Sequence, residues 1–197
     1  MAIVPYPVNP SHQRVVLQPI TAGQVNKSDI TGRRQAIDLS FSWRTAEVEV
    51  SAMTIPEARA WRLFSGRIRG PVNSFRLPVL NYAQHSLSYT VRAQGASSDP
   101  YSLLTDGWPA STTTLLAGDY VTVGEQLMML DADVNTNASG QETLVFHEPL
   151  RGAIADNTVI ETKWPWLLSS FPEKAPALGL GLIDLQEPFS FSVEEAY

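Results

Sequence analysis

The sequence predicts an all-β protein carrying one short α-helix, and three observations predict it. First, Ile37, Leu39, Phe41 and Trp43 alternate strictly with Asp38, Ser40, Ser42 and Arg44. Neighbouring side chains on a strand point to opposite faces, so this run buries one face and wets the other. Second, the alternation returns in the segments 47–51 and 189–194, the latter reading Phe189, Ser190, Phe191, Ser192, Val193, Glu194. Third, between Tyr82 and about Trp164 many short apolar runs are separated by turns, the mark of a small barrel or sandwich. The 14 prolines and 12 glycines favour turns over long helices.

The elements follow in order. Residues 1–34 are rich in Pro, Gly, Gln, Asn and Ser and read as an arm or loop, with one short strand at Arg14–Gln18. A hairpin comes next: a strand near 35–44, a turn at Thr45 and Ala46, and a second strand near 47–53. Thr54 and Glu57, three residues apart, fit a capping box and open the one helix. Pro56 sits in the first turn, where its missing N–H has no helical partner to lose. Ala58, Trp61, Phe64 and Ile68 then recur at helical spacing and form a stripe that packs on a sheet. Arg59, Arg62 and Arg69 point away from it, towards solvent, passing DNA or a neighbouring subunit. Gly66 and Gly70 are candidate stops. Phe75–Pro78 resumes as a strand, and Pro78 marks a strand end or sheet edge.

Composition shifts after Tyr82. The runs 87–91, 119–123, 126–130, 143–146 and 158–161 read as strands of an inserted all-β module spanning 83–174. Gly124 and Glu125 join two of them as a two-residue turn, and Gly in first place suits type II′. The Pro- and Gly-rich stretch 165–185 is the return path. The closing strand 188–194 then rejoins the first sheet, so that residues 1–82 and 175–197 form one unit around the helix at 55–68.

A chain of 197 residues is long enough for a substantial core. With 44% hydrophobic and 17% charged residues it fits a globular protein made in the cytosol. There is no cysteine, which excludes disulfides and thiolate metal sites. The N-terminus lacks the basic and apolar regions of a secretory signal, and no apolar run has the roughly 18–20 residues of a membrane helix, so no membrane insertion is expected. The net charge of -6 argues against a general nucleic-acid surface. That charge is segregated. Residues 1–82 hold ten Lys and Arg against five Asp and Glu, whereas residues 83–174 hold four against eleven.

No segment offers catalytic machinery. His12, His85 and His147 are scattered, there is no phosphate loop or nucleophile elbow, and Glu194 and Glu195, adjacent on a strand, face opposite sides. Asp131, Asp133, Asn135 and Glu142 match ligand positions of a calcium loop, but Thr136 stands where the sharp turn requires Gly and the flanks read as strands. The expectation is a polar connection with no metal and no cofactor. Tyr89, Tyr101, Trp108, Trp164 and Trp166 could make a sugar-stacking surface, with core packing as the competing use.

The hairpin followed by the segment 55–64, Gly70 and the segment 73–78 resembles the distal tail proteins of long-tailed bacteriophages. So do Asp106–Pro109, Leu116–Gly124, Glu148–Arg151 and the closing Phe189–Glu195. The likeness spans most of 35–197 and leaves out the arm. It implies a β-sandwich with a flanking helix, related to tail-tube proteins, plus an inserted or appended β-barrel. It also implies a structural virion protein, not an enzyme, assembled in the host cytoplasm into a six-membered ring at the tail tip. Such a ring joins the tail tube protein to the baseplate hub and carries fibres or receptor-binding proteins. One sheet face would then line a channel through which DNA passes, with Asp38, Ser40, Ser42, Glu47, Glu49 and Ser51 as candidate channel residues. The alternative is a carbohydrate-binding module for host attachment, using Tyr101, Trp108, Trp164 and Trp166.

Overall fold

The computed structural model describes residues 2–7, 13–176, 178 and 185–196, with the backbone alone at 38–41 and 185. The chain is β-rich. Before its helix come β1 (Gln13–Lys27), β2 (Arg34–Val50) and β3 (Met53–Thr54). After α1 (Ile55–Ile68) come β4 (Phe75–Pro78), β5 (Val91–Ala93), β6 (Ser102–Asp106), β7 (Tyr120–Val123) and β8 (Gln126–Met129). The remainder are β9 (Glu142–Val145), β10 (Val159–Glu161), β11 (Trp166–Ser170), β12 (Leu185–Gln186) and β13 (Phe189–Glu195). A five-stranded antiparallel sheet runs β1-β2-β13-β11-β4, a six-stranded one β8-β7-β10-β5-β6-β9, and β12 pairs with β3. The six-stranded sheet curls into a half-barrel. Its two end strands approach each other through a bridge between Leu130 and Phe146.

The closing strand does return to the first sheet: Phe189 lies opposite Val50, Phe191 opposite Val48 and Val193 opposite Ala46. The expected turn at Thr45 and Ala46 does not form. β2 runs unbroken through both residues, held by Gln18 and Leu17 of β1. Neither residue has turn chemistry, and a continuous ladder satisfies every backbone group there. The consequence is a change of face. Arg44, Ala46, Val48 and Val50 are buried, so the inward set is the even-numbered one, while Ile37 is 44% exposed and Trp43 half-buried. A hairpin would have let Trp43 and Val48 share a face, and a single strand cannot.

The arm is also corrected. β1 covers most of 13–27 rather than five residues. Val4 and Tyr6 are buried, and the segment is tied to Ser74 by backbone bonds from Val4 N–H (2.8 Å) and to the Ala2 carbonyl (3.0 Å). Tyr6 stacks on Phe75 at 5.4 Å and meets Trp61 edge-on at 5.2 Å, and its hydroxyl donates to Gln13 Oε1 at 2.7 Å. Burial pushes the Tyr6 phenol far above its ordinary value.

The helix forms as its sequence dictates. The Glu57 carboxylate accepts from the Thr54 N–H (2.9 Å) and hydroxyl (2.8 Å). Ala58, Trp61, Phe64 and Ile68 are its buried residues, and they pack against Phe75, Phe171, Phe189 and Phe191 of the sheet region. Gly66 lies inside the helix and does not stop it. The stop is Arg69, left-handed at φ 54°, followed by Gly70 at φ 62°. Only glycine fits at position 70, where a Cβ would sit 2.6 Å from the Glu173 carbonyl oxygen.

The insert is shorter than expected. Trp166–Ser170, assigned to the module and its return path, is a strand of the first sheet, between β13 and β4. Its pattern, with Leu167 and Ser169 buried, was masked by the Pro165 beside it. The half-barrel has its own core, centred on Val91, Leu103, Trp108, Val121, Met128, Leu144 and Ile160. Leu127 of β8 instead joins the core of the first sheet. The half-barrel thus helps to cover the inward face that α1 leaves open.

Candidate assembly face and the clefts beside it

The outward face of the five-stranded sheet is acidic along β2 and β13, with Arg14 on β1 and Arg76 on β4 flanking that strip. Glu49 lies between Ser190 of β13 and Arg14 of β1, Glu47 between Ser192 and Val16, and Thr45 between Glu194 and Gln18. Glu47, Glu49, Ser190, Ser192 and Glu194 are all exposed. Arg14 Nη1 is 3.4 Å from Glu49 Oε2 with both side chains more than half in water, so the pair adds little. Among the described residues Glu47 and Glu194 take part in no ion pair. Ser51 follows on the same exposed side. Ser42, half-buried beside Arg44, faces the other way and lines a cleft, so the six candidate channel residues do not share one face. The side chains of Asp38 and Ser40 lie outside the described residues.

β1 and β4 are the two edge strands of this sheet. Pro19 lies in β1, and a proline, having no N–H for a ladder, is tolerated on an edge. β13 accompanies β2 only along Thr45–Val50. Beyond that point, among the described residues, β1 and β2 pair only with each other as a two-stranded ribbon as far as Lys27 and Arg34. Val25 and Ile37 on it are about half exposed, and Ile30 at its tip is 97% exposed. A two-stranded ribbon is marginal in water without further packing.

At the base of the ribbon a cleft of about 330 Å³ opens between the sheet and the half-barrel. Leu17, Pro19, Thr21 and Ser42 line one side, and Tyr101, Tyr120, Met129 and His147 the other. Arg44 and Glu148 also line it and are joined by an ion pair, Nη2 to Oε2 at 2.6 Å, with Arg44 almost fully buried. Arg44 Nη1 donates to the Leu127 carbonyl (2.6 Å), and its backbone N–H donates to Glu195 Oε2 (2.9 Å). Arg151 reaches the same Glu195 oxygen (2.8 Å) and donates to the Ser42 carbonyl (3.2 Å). Glu195 Oε1 is buried with no hydrogen-bond partner among the described residues. Buried charges of this kind persist only when paired.

The calcium-loop spacing does not gather its oxygens. Asp131 Oδ1 faces His147 Nδ1 at 3.6 Å, and Asp133 Oδ1 accepts from the Ala117 N–H at 2.8 Å. Asn135 Oδ1 accepts from the Thr113 hydroxyl at 2.6 Å, and Glu142 Oε1 from the Thr143 N–H at 2.9 Å. No group of three or more potential ligands is found among the described residues.

The aromatic residues are likewise dispersed. Trp108 is core, its indole N–H donating to Thr105 Oγ1 at 2.7 Å. Trp166 carries the Arg76 guanidinium 4.5 Å over its ring. Tyr101 lies in the first cleft. Trp164, 40% exposed, lies in a second cleft of about 230 Å³ with His85 and Tyr89. There His85 stacks on Tyr89 at 4.5 Å and contacts the Leu87 carbonyl (3.1 Å) and the Thr162 hydroxyl (3.0 Å). Burial lowers the His85 pKa against the opposing pull of the Leu87 carbonyl, and burial raises that of Tyr89. His12 lies outside the described residues. Among the described residues no helix is long and apolar enough to cross a membrane.

Sequence reasoning missed the ionic group Arg44, Glu148, Arg151 and Glu195. A signal was present for two of them. Arg44 has the parity of Val48, and Glu195 that of Phe191 and Val193, so both carry charge inward. No protein-family model matches the sequence, and no curated protein is similar to it.

Proposed function

We propose that this chain is the structural subunit of a ring, of six copies, at the distal end of a phage tail tube. In this reading the ring joins the tail tube protein to the baseplate hub and to fibres or receptor-binding proteins. The observation that carries the reading is the two-faced five-stranded sheet. One face packs against α1 and the half-barrel, and along β2 and β13 the other presents Glu47, Glu49 and Glu194 among serines, with Arg14 on β1 and Arg76 on β4 at the two flanks. A wall of that charge repels phosphates and lets DNA slide past. The edge strand β1 and the two-stranded ribbon offer pairing surfaces that a closed ring consumes, which protects them from misassociation. Assembly proceeds in the host cytoplasm and the product resides in the virion.

Negative-stain microscopy and light scattering of the purified chain test this. A ring of uniform copy number is expected, each interface burying about 2,000 Å² or more. A monomer at all concentrations overturns it.

A second reading has its own observation. The cleft holding Tyr101, Tyr120 and the Arg44–Glu148 pair combines aromatic faces with fixed polar groups, as a sugar site does. Retention of a monomer on host-surface polysaccharide, lost in Tyr101→Ala, would favour it.

A further inference from the structure

We infer that the outward face of α1 is a docking surface for the acidic half-barrel of a second copy of this chain. The inference rests on the ring reading and names which surfaces meet. The stripe of Ala58, Trp61, Phe64 and Ile68 faces the core, so Arg59, Arg62, Leu63, Gly66 and Arg67 face away, and each is exposed. Arg69 adds a fourth guanidinium at the end of the helix.

Three features of this face find no use among the described residues. None of the four arginines is in an ion pair among the described residues. Arg67, in the last turn, suits the helix dipole, but Arg59 and Arg62 gain nothing from it. Leu63 is 54% exposed in their midst. Gly66 is a helix-interior glycine with nothing within 4 Å of where a Cβ would stand. Such a glycine weakens a helix relative to alanine, and close approach of another backbone is the use that offsets it.

Charge selects the occupant. The helix and its C-cap carry four arginines against Glu57, whereas residues 83–164 carry ten Asp and Glu against three Lys and Arg. The complementary surface therefore belongs to the chain itself. A helix face on one copy against a different face on the next is a heterologous contact, the kind that closes into rings. Leu63 and Gly66 supply the close apolar centre that a protein partner needs and a phosphate backbone does not.

The test uses the full chain. Arg62→Lys keeps the charge and supplies an amine for zero-length coupling to a carboxylate, in which the carbodiimide takes up the elements of water and leaves as its urea. Mixed isotope-labelled and unlabelled copies identify links between chains. The expected result is an intermolecular link from position 62 to an Asp or Glu within 83–164. Arg59→Glu with Arg62→Glu is expected to weaken self-association by at least about tenfold, and the parent association to weaken with salt. Gly66→Leu, whose Cβ has nothing within 4 Å among the described residues, is expected to weaken association while the monomer still folds.

Assembled rings with no such link, or with links to Glu47, Glu49 or Glu194, overturn the inference and leave the ring standing. Unchanged association with loss of DNA retention in the double variant overturns it in favour of a phosphate surface. A parent chain that never associates overturns both readings.

Discussion

Arg44 of β2 and Glu148, which follows β9, meet at 2.6 Å across the junction of sheet and half-barrel, their side chains 4% and 12% exposed. Beside them Arg151 and Glu195 cross the same junction in the opposite sense of charge. Each unit thus contributes one acid and one base, and both ion pairs form across the junction. Glu148→Gln leaves a buried guanidinium without its counter-charge and is expected to cost about 3–5 kcal/mol. Arg44→Met combined with Glu148→Leu is expected to recover much of that loss. Urea unfolding measures both, and a single-variant cost under about 1 kcal/mol would contradict the clamp.

The two glycines of the helix region are expected to respond with opposite sign. Gly66→Ala adds a methyl to open space inside a helix and should stabilise the monomer by up to about 1 kcal/mol. Gly70→Ala forces a side chain into a left-handed backbone and against the Glu173 carbonyl, and should destabilise it by more than about 1 kcal/mol. Thermal melts of the monomer decide, and equal shifts would refute the assignment.

Acid should weaken the half-barrel through His85. Its pKa is lowered in the folded chain by burial, so below the ordinary value of about 6.5 the unfolded chain binds a proton the folded one does not. Its contribution is present above that pH and is lost as pH falls towards the folded value. His85→Gln should flatten this part of the stability profile. Asp99, held below its ordinary value by the Ser102 hydroxyl, has the same sign but acts only at more acidic pH. An unaltered profile between pH 7 and 5 in the variant would rule His85 out.

Reversing the acidic face should leave folding alone and change what the surface attracts. Glu47→Lys with Glu194→Lys touches two exposed residues with no ion-pair partner among those described, so stability should stay within about 0.5 kcal/mol per site. Assembled rings of this variant are expected to retain double-stranded DNA that parent rings release, read by a mobility shift. Equal behaviour would remove the electrostatic role of the face.

The sequence by itself determined the all-β class, the helix from its cap to its buried stripe, and the return of 189–194 to the first sheet. The class and the helix rest on local periodicity and capping, which act within a few residues, and the return of 189–194 follows from its sharing the alternation of the first strands. The face on which β2 buries its side chains, the strand at 166–170 and the anchoring of Val4 and Tyr6 were decided by tertiary structure. For β2 the local alternation was equally good for a hairpin or a single strand, and the ladder to β1 chose between them. The ionic group at the junction belongs to the same class. Arg44 and Glu195 lie far in sequence from Glu148 and Arg151, and only the docking of the two sheets brings the four together and obliges them to pair across the junction.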